Sequence, residues 1–302
     1  MNSFRLKSET MFTRSEEYEQ EPPLKIVFLS VEGNKTEQQY FEYIEKYRDY
    51  LGIKKVVHIH SLRRSKHDNL CAPEDVLELL EEYMELRNAK DLPERLRRVI
   101  PEKYSYGFIR DYLDNNVRDD KTKEFEMLLQ KTGIDLQYEF FLKEISGKND
   151  VFGVVLDRDY KSHSVAQMNS IIEQCKEKGY KCFVTTPLFE FWLLLHLTDV
   201  CNEYENEMDK ILDNPVESVQ HTYTSKQVSE KAHHAKVIRE ATFVKYYLPN
   251  IDFAINQVRS NFTMDLDELV GNDNSVGERK GKLGTNIPEL FDLLRNDEKI
   301  IV

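Results

Sequence analysis

The chain has 302 residues, and its 54 Asp and Glu residues outnumber its 42 Lys and Arg residues, which gives a formal net charge of −12. Hydrophobic residues make up 40% of the sequence, so the chain has enough apolar side chains for a core and is not disordered throughout. At ~150 residues per domain, the length predicts roughly two domains. The acidic balance excludes a protein that coats nucleic acid by bulk positive charge, because such binding requires cations that displace condensed counterions.

The features that report on compartment favour the cytoplasm. The longest apolar runs are far shorter than the ~20 residues that cross a bilayer, so we expect no membrane span and no membrane partner. Residues 1–22 lack the apolar centre of a signal peptide and are interpreted as a flexible tail. The four cysteines have neither metal-ligand nor disulfide-framework spacing, and we interpret them as reduced thiols: Cys71, Cys175, Cys182 and Cys201.

The first predicted element is a strand at residues 24–31 (LKIVFLSV). Its continuous apolar run is typical of a strand that is buried on both faces of a parallel sheet. The turn EGNKTE follows, and Thr36 with Gln39 forms a capping-box pattern that predicts the start of a helix. Residues 55–62 (KVVHIHSL) predict a second strand. Strand, helix and strand together form a βαβ unit, which predicts an α/β fold.

A helical pattern begins at Pro73 and continues to about Ser146, so residues 68–148 are interpreted as a helical insertion. The apolar run 151–156 (VFGVVL) predicts the next strand, and an amphipathic helix at 164–178 follows it. Residues 180–185 (YKCFVT) predict another strand, after which Pro187 is the predicted first residue of a buried helix. These strands predict an open, mainly parallel sheet that is flanked by helices.

The last third of the chain has helical periodicity only. Its clearest helical segments are 225–247 and 287–295, whereas the Gly-, Asp- and Asn-rich stretch 271–284 is interpreted as a loop. The predicted organisation is therefore a tail, an α/β domain that contains the insertion, and a mainly α-helical C-terminal region: 1–22, 23–200 and 201–302.

Acidic residues follow two of the predicted strands. Glu32 and Glu37 flank the turn after the first strand, and Asp157 and Asp159 come at the end of the third. The carboxyl ends of parallel strands meet at one edge of the sheet, and the i, i+2 spacing predicts that both aspartates point to the same side. Converging carboxylates select hard cations, so the pattern predicts Mg²⁺ or Mn²⁺. Alternatively, these acids are ordinary helix-cap or loop residues.

Three blocks of the sequence, VEGNKTEQQYF, LDRDY and PLFEFWLLLH, resemble the RloB-like proteins. The blocks span residues 24–197, and the sheet domain of that family resembles the Toprim fold of topoisomerases, primases and OLD-family nucleases. The resemblance implies a Toprim-like sheet domain, bound Mg²⁺ or Mn²⁺, and phosphodiester hydrolysis as the activity. Many Toprim proteins carry a third acid two residues after the second aspartate, but this chain has Lys161 there, which leaves one or two metal ions open.

The resemblance also implies roles for single residues. Glu32 corresponds to the Toprim glutamate that is a metal ligand or acid/base, and Asp157 and Asp159 correspond to the metal-binding aspartate pair. These three are the expected catalytic residues, and Glu37 is an expected further ligand. Glu190 either completes a second metal site or favours the N-terminus of its helix, where a carboxylate meets the positive end of the dipole.

Four basic residues are the expected contacts with substrate phosphate. Lys35 lies in the turn before a predicted helix N-terminus, which is a favourable place for a phosphate oxygen. Arg63, Arg64 and Lys66 belong to the stretch 50–67, which has five Lys or Arg residues and no acid. The alternative interpretation of this stretch is a solvated strand edge and loop.

Two histidines are interpreted as structural or solvent-facing residues. His163 follows the LDRDY block, and a solvated loop histidine is preferred there to a general acid/base or a phosphate ligand. His196 lies on an apolar helix four residues after Trp192, which favours a hydrogen-bonded core histidine over a metal ligand.

The leading hypothesis is a metal-dependent nuclease that hydrolyses RNA, with tRNA as one candidate, or DNA. The resemblance alone implies an effector of antiviral, abortive-infection defence with a partner ATPase. The chain has no GxxxxGK[ST] or GxGxxG motif, so ATP would bind another subunit. The alternative is a non-catalytic nucleic-acid-binding or regulatory subunit of an ATPase complex, and a third hypothesis is nucleotide transfer of the kind that primases perform. Homo-oligomerisation is left open.

Overall fold

The computed structural model describes residues 25–33, 35–63, 72–89, 92–145, 147–219, 221–233, 237–271 and 281–296. The predicted tail at 1–22 and the basic residues Arg64 and Lys66 lie outside the described residues. The chain is an α/β protein with one sheet of five strands in the order β2-β1-β3-β4-β5. The strands are β1 Lys25–Val31, β2 Val57–Ser61, β3 Val151–Asp157, β4 Lys181–Thr186 and β5 Gly284–Thr285.

Helices make up most of the rest of the described structure. The first eight are α1 Thr36–Lys46, α2 Pro73–Asn88, α3 Glu94–Val99, α4 Tyr106–Leu113, α5 Asp120–Thr132, α6 Leu136–Glu144, α7 Val165–Lys178 and α8 Phe189–Leu197. The other α-helices are α9 Val200–Glu203, α10 Met208–Asp213, α11 Tyr223–Ala232, α12 Glu240–Thr242, α13 Ile251–Asn261, α14 Leu266–Val270 and α15 Ile287–Arg295. A π-helix at Phe243–Tyr247 and a 3-10 helix at Leu248–Asn250 lie between α12 and α13. Within the ranges given above, no helix is both long and apolar enough to span a membrane.

Strands β1 to β4 are parallel to one another, which confirms the open, mainly parallel sheet that the apolar runs predict. Their alternate side chains enter two different cores, because successive residues of a strand point to opposite faces. In β1, Val27 and Leu29 pack with α1, α8, α11, α13 and α15, whereas Ile26 and Phe28 pack with α2, α7 and α14. Both faces of the sheet are therefore covered by helices.

The helices between β2 and β3 have a small core of their own. Aromatic and aliphatic side chains from α3 to α6 form it, with Tyr104 and Phe125 in ring contact at a centroid distance of 4.6 Å. Helix α2 belongs instead to the sheet, since Val76, Leu77 and Leu80 are buried against the face that carries Phe28. The segment between β2 and β3 thus contains one helix that covers the sheet and a satellite cluster beyond it.

The capping box predicted at Thr36 and the helix start predicted at Pro187 are wrong. Helix α1 begins at Thr36, so Lys35 is its N-cap residue and no side chain caps it. The Gln39 side chain does not complete a capping box but accepts a hydrogen bond from the backbone N–H of Ile238, at 2.9 Å. Helix α8 begins at Phe189 rather than at Pro187, which follows a cis peptide bond and lies before the helix.

The predicted C-terminal elements are partly confirmed. Helix α15 has the predicted limits of 287–295. The predicted helix 225–247 is divided, because α11 ends at Ala232 and His233 adopts a left-handed φ of 53°. The predicted loop 271–284 ends in β5, which pairs antiparallel with β4 and was missed because two residues carry no periodicity.

Asn286 fixes β5 and the start of α15 to the sheet. Its side chain accepts a hydrogen bond from Val184 N at 2.7 Å and donates one to Cys182 O at 2.9 Å. The asparagine is 1% exposed, so water is not available to replace either bond.

We expect Asn286→Ala to lower the free energy of unfolding by about 2 to 4 kcal/mol, because it leaves two buried backbone groups without these partners. Urea unfolding measures the change. Asn202→Ala, which removes an exposed asparagine side chain bonded to Asp199, is the matched control. Equal losses in the two variants would contradict the assigned role of Asn286.

Candidate functional site

The strand order reverses between β1 and β3. The chain passes from β1 to β2 on one side, and β3 then pairs with β1 on the other side. In open parallel sheets, ligands bind in the crevice outside the carboxyl ends of the strands at such a reversal. Val31 lies opposite Val155 in the register of the two strands. Glu32 and Asp157 therefore leave the sheet beside each other.

Glu32 is held on both of its carboxylate oxygens. Its backbone N–H continues the sheet by donating to Val155 O at 3.2 Å. Its Oε2 accepts from the backbone N–H of Asp157 at 3.0 Å, and its Oε1 lies 3.3 Å from His163 Nε2. The hydrogen bond with Glu32 raises the pKa of His163. Glu32 thus joins the end of β3 to the loop before α7.

Asp157 connects the sheet to α8. Its Oδ1 accepts a hydrogen bond from the backbone N–H of Phe189, the first residue of α8, at 2.8 Å. Burial raises the pKa of Asp157 well above its usual range, and the nearby charges of Glu32, Glu37 and Glu190 raise it further. The hydrogen bond from Phe189 opposes this rise, since it favours the ionised form.

Glu37 is a carboxyl group buried in the first turn of α1, and it is 7% exposed. Backbone hydrogen bonds at Glu37 itself and at Gly33 act on its side chain. Burial raises the pKa of Glu37 to about 8, with further contributions from Glu190 and Glu32. A Cβ atom at Gly33 would lie 1.9 Å from Glu37 Oε2. A larger residue at this position would displace the Glu37 carboxylate from where it lies.

Four carboxyl groups therefore lie within electrostatic reach of one another at the carboxyl edge of the sheet. We call Glu32, Glu37, Asp157 and Glu190 the acidic cluster. Glu190 belongs to it through the first turn of α8, and its charge raises the pKa of both Glu37 and Asp157. The structure brings together the two acids after β1, the first aspartate after β3 and the acid of the PLFEFWLLLH block.

The chemistry of the acidic cluster fits a hard divalent cation. Its donors are carboxylate oxygens, and a cation would relieve the repulsion that raises the pKa values of Glu37 and Asp157. As it stands, however, no group of three or more His, Cys, Asp and Glu side chains in the described ranges is arranged to hold a metal ion. The carboxylates of Glu32 and Asp157 are engaged by backbone N–H groups instead. To bind a metal ion, the carboxylates of Glu32 and Asp157 would have to move away from these N–H groups.

Asp159 lies in the turn that follows β3. Its carboxylate closes its own turn, accepting hydrogen bonds from Lys161 N at 3.1 Å and Ser162 Oγ at 2.7 Å. The extended backbone that the i, i+2 argument requires ends at Asp157, where β3 ends. The Lys161 side chain is directed elsewhere and donates to Asp213 O at 2.7 Å.

Of the four predicted phosphate contacts, the structure describes Lys35 and Arg63. Lys35 is exposed at the start of α1. The Arg63 guanidinium pairs with Glu42 at 2.8 Å and lies over the Tyr138 ring at 5.8 Å. Within the same stretch, His60 is largely enclosed, its Nε2 lies 2.9 Å from the Tyr138 hydroxyl, and burial lowers its pKa to about 3. The solvated-strand interpretation of residues 50–67 is thus wrong for His60.

Two residues of this site were underrated from the sequence. His163 is only 9% exposed and contacts Glu32, so the solvated-loop interpretation is wrong. Arg158, between the two aspartates, is 2% exposed and donates to the backbone carbonyls of His163 and Val270. The signal available in the sequence was their position in or just after the LDRDY block.

His196 lies in the core, as its place on an apolar helix predicts. The side chain is 1% exposed, its Nδ1 donates to Trp192 O at 2.8 Å, and its Nε2 lies 3.1 Å from the Tyr40 hydroxyl. Burial lowers the pKa of His196 to about 3, so the ring is neutral near pH 7. These contacts fill both ring nitrogens with protein partners.

Comparison with known proteins gives one match. The model of a family described as RloB-like protein matches residues 27–294, which is nearly the whole chain. No curated protein and no solved structure matches the chain. The matched range includes all four residues of the acidic cluster, as well as α13, α14 and β5.

The raised pKa of Glu37 predicts a pH-dependent stability. Between pH 4.5 and about 8, the folded protein holds a proton on Glu37 that the unfolded chain has released, so stability falls as the pH rises. We expect Glu37→Gln to flatten the slope between pH 5.5 and 7.5 by up to about 1.4 kcal/mol per pH unit. Urea unfolding at several pH values, without divalent metal, measures it.

Glu42→Gln, which removes a carboxylate from the outer side of the same helix, controls for the loss of one charge. A wild-type slope that persists in Glu37→Gln would show that the Glu37 carboxyl is not held in a buried, repulsive environment.

Proposed function

The chain belongs to the RloB-like protein family, and we propose that it is a divalent-metal-dependent nuclease that hydrolyses phosphodiester bonds of RNA or DNA. The convergence of four carboxyl groups at the strand-order reversal is the observation that carries this proposal. Such a cluster is costly for the folded protein, because burial and mutual repulsion raise the pKa values of Asp157 and Glu37. A cluster that costs folding free energy and lies in the crevice of an α/β sheet is more typical of a binding site than of a structural feature.

In the proposed site, Glu32, Glu37, Asp157 and Glu190 hold one or two Mg²⁺ or Mn²⁺ ions. A bound ion of this kind polarises a phosphate group, lowers the pKa of a water nucleophile and stabilises the leaving oxygen. The resemblance to Toprim domains supports the same assignment for Glu32 and Asp157. It also assigns Asp159, but the carboxylate of that residue closes its own turn.

The chain's own residues orient the proposed ligands. The N–H of Asp157 holds one oxygen of Glu32, and the imidazole of His163 holds the other. Gly33 leaves space for the Glu37 carboxylate against the turn. The N–H of Phe189 directs Asp157 toward the start of α8, where Glu190 is located. The sheet edge and two helix N-termini thus hold the acids at one edge, and the carboxylates would have to turn from these N–H groups toward a bound ion.

The proposed substrate is a nucleic acid that is selected locally. The net charge of −12 disfavours indiscriminate binding of polyanions, so a structured RNA such as tRNA is one candidate and DNA is the other. Lys35 is exposed at the N-terminus of α1, next to the turn that holds Glu37, and is the proposed phosphate contact at this edge. A role in abortive-infection defence under the control of a partner ATPase is part of the proposal and is supported by the family resemblance alone.

A non-catalytic nucleic-acid-binding or regulatory subunit of an ATPase complex is the second candidate. It is favoured by the finding that no group of three ligating side chains in the described residues is arranged for a metal ion. Lys161 at the third acidic position of many Toprim proteins points the same way, since it bonds to Asp213 O and Asn214 O. The two candidates differ in whether divalent metal binds.

Metal binding is tested by thermal unfolding with and without Mn²⁺ or Mg²⁺. A nuclease of the proposed kind is expected to unfold at a higher temperature with metal, because a ligand that binds only the folded state stabilises it by about 2.7 kcal/mol at 100 times its Kd. Asp157→Asn is expected to reduce the shift. Absence of any shift in the wild type would favour the regulatory subunit.

Cleavage is tested on end-labelled tRNA, single-stranded RNA and plasmid DNA with Mn²⁺ or Mg²⁺, with and without a neighbouring ATPase. We expect Glu32→Ala and Asp157→Ala to lower the rate by about 100-fold or more, because each removes a proposed ligand. Asp159→Asn is expected to lower it by less than about 10-fold, since that side chain closes its own turn.

Asp292→Ala, which removes a surface carboxylate paired with Arg259, is the control for general damage. Inactivity of the wild type on all three substrates with the ATPase present would refute the nuclease proposal. Cleavage that survives in both Glu32→Ala and Asp157→Ala would assign the activity to another site.

A further inference from the structure

Arg158 is a buried cation at the edge of the acidic cluster. It follows Asp157 directly, and its backbone N–H donates to Thr185 O at 2.8 Å. Its Nε donates to Val270 O at 2.8 Å and its Nη1 to His163 O at 2.7 Å. Both side-chain bonds end on backbone carbonyls. Burying a guanidinium is costly. The role of Arg158 therefore depends on which parts of the fold its two carbonyl partners belong to.

The His163 carbonyl leads to the acidic cluster. The imidazole of the same residue lies 3.3 Å from Glu32 Oε1, and Glu32 is bonded in turn to the N–H of Asp157. Holding the backbone of His163 therefore holds the point from which its ring reaches Glu32. These hydrogen bonds form a closed network, because they run from Arg158 through His163 and Glu32 to Asp157, which precedes Arg158 in the chain.

The Val270 carbonyl leads to the C-terminal region. Val270 is the last residue of α14, and the preceding carbonyl, of Leu269, accepts from Thr186 Oγ1 at 2.9 Å. The chain also returns to this helix, because Lys282 N donates to Glu268 O at 2.7 Å. Helix α14 is thus attached to the carboxyl edge of the sheet through Thr186 and Arg158.

We propose that Arg158 is a positioning residue that couples α14 to the acidic cluster by holding the His163 backbone, so that His163 orients Glu32. The inference rests on the proposed function for its catalytic consequence, whereas the coupling itself is a property of the folded chain. A displacement of α14 would then reach Glu32 through two hydrogen bonds of Arg158 and one of His163. The C-terminal region is in this way part of the site rather than an appendage to it.

The test compares Arg158→Met, Arg158→Lys and Arg87→Met with the wild type. Methionine keeps much of the length of arginine but donates no hydrogen bond, and lysine keeps the charge but cannot reach two carbonyls with a planar fork. Arg87 is the matched control, because it is a half-buried arginine that bonds to Gly147 O and to Asp150, beside the amino end of β3.

Two measurements separate the coupling from its consequence. Hydrogen exchange of the metal-free protein reports on peptides that cover residues 159–165 and 266–271. Titration with Mn²⁺, followed by the electron paramagnetic resonance of the free ion, reports on the acidic cluster. In Arg158→Met we expect faster exchange in both peptides and Mn²⁺ affinity that is lower by about 10-fold to 100-fold, as for other residues that orient metal ligands.

Arg158→Lys is expected to give intermediate effects. If Arg158→Met does not fold, exchange and Mn²⁺ affinity are measured on Arg158→Lys instead. Arg87→Met is expected to destabilise the protein without changing Mn²⁺ affinity. The coupling would be overturned if exchange in one of the two peptides were unchanged in both Arg158 variants. An equal loss of Mn²⁺ affinity in Arg87→Met would overturn the specific link between Arg158 and the acidic cluster. If exchange is faster in both peptides of Arg158→Met but the wild type binds no Mn²⁺, the coupling stands and the proposed function is refuted.

Discussion

The parallel pairing of β1 with β3 is the constraint on which the acidic cluster depends. The pairing sets Val31 opposite Val155, and the N–H of Glu32 adds one further bond to the ladder. Asp157 then donates its own N–H to the Glu32 carboxylate. A slip of one residue would turn each side chain of β1 to the opposite face of the sheet and would carry the Glu32 carboxylate away from the N–H of Asp157.

The fold opposes the repulsion in the cluster with backbone dipoles. The N–H of Phe189 faces Asp157, backbone hydrogen bonds in the Gly33 turn act on Glu37, and the starts of α1 and α8 present their positive ends to this edge. These groups lessen the repulsion without removing it, because the pKa values of Asp157 and Glu37 stay raised. The raised pKa values cost folding stability, and the cation that we propose would relieve the repulsion that causes part of this cost.

Features with a long or regular signal were predictable from the sequence. The apolar runs gave four strands within a residue or two, and α15 has its predicted limits. The convergence of Glu32 and Asp157 followed from strand direction alone. The turn that the Asp159 carboxylate closes and the lack of a capping box at Thr36 were not predictable, because each depends on local dihedral angles at an element boundary, where pattern is weakest. The contact of His163 with Glu32 has no local signal, since it joins residues far apart in sequence.

The C-terminal region illustrates why periodicity alone underestimates a fold. Its periodicity predicts only a mainly α-helical region, yet the side chain of Asn286 bonds to two backbone groups of β4 and the N–H of Ile238 donates to Gln39 on α1. Single polar side chains make these connections, so they leave no repeating pattern in the sequence. Because β4 leads into the helix that carries Glu190, residues that hold β4 in place also hold one wall of the acidic cluster. The geometry of the cluster thus depends on described residues that are far apart in the sequence, and the family match at 27–294 includes them.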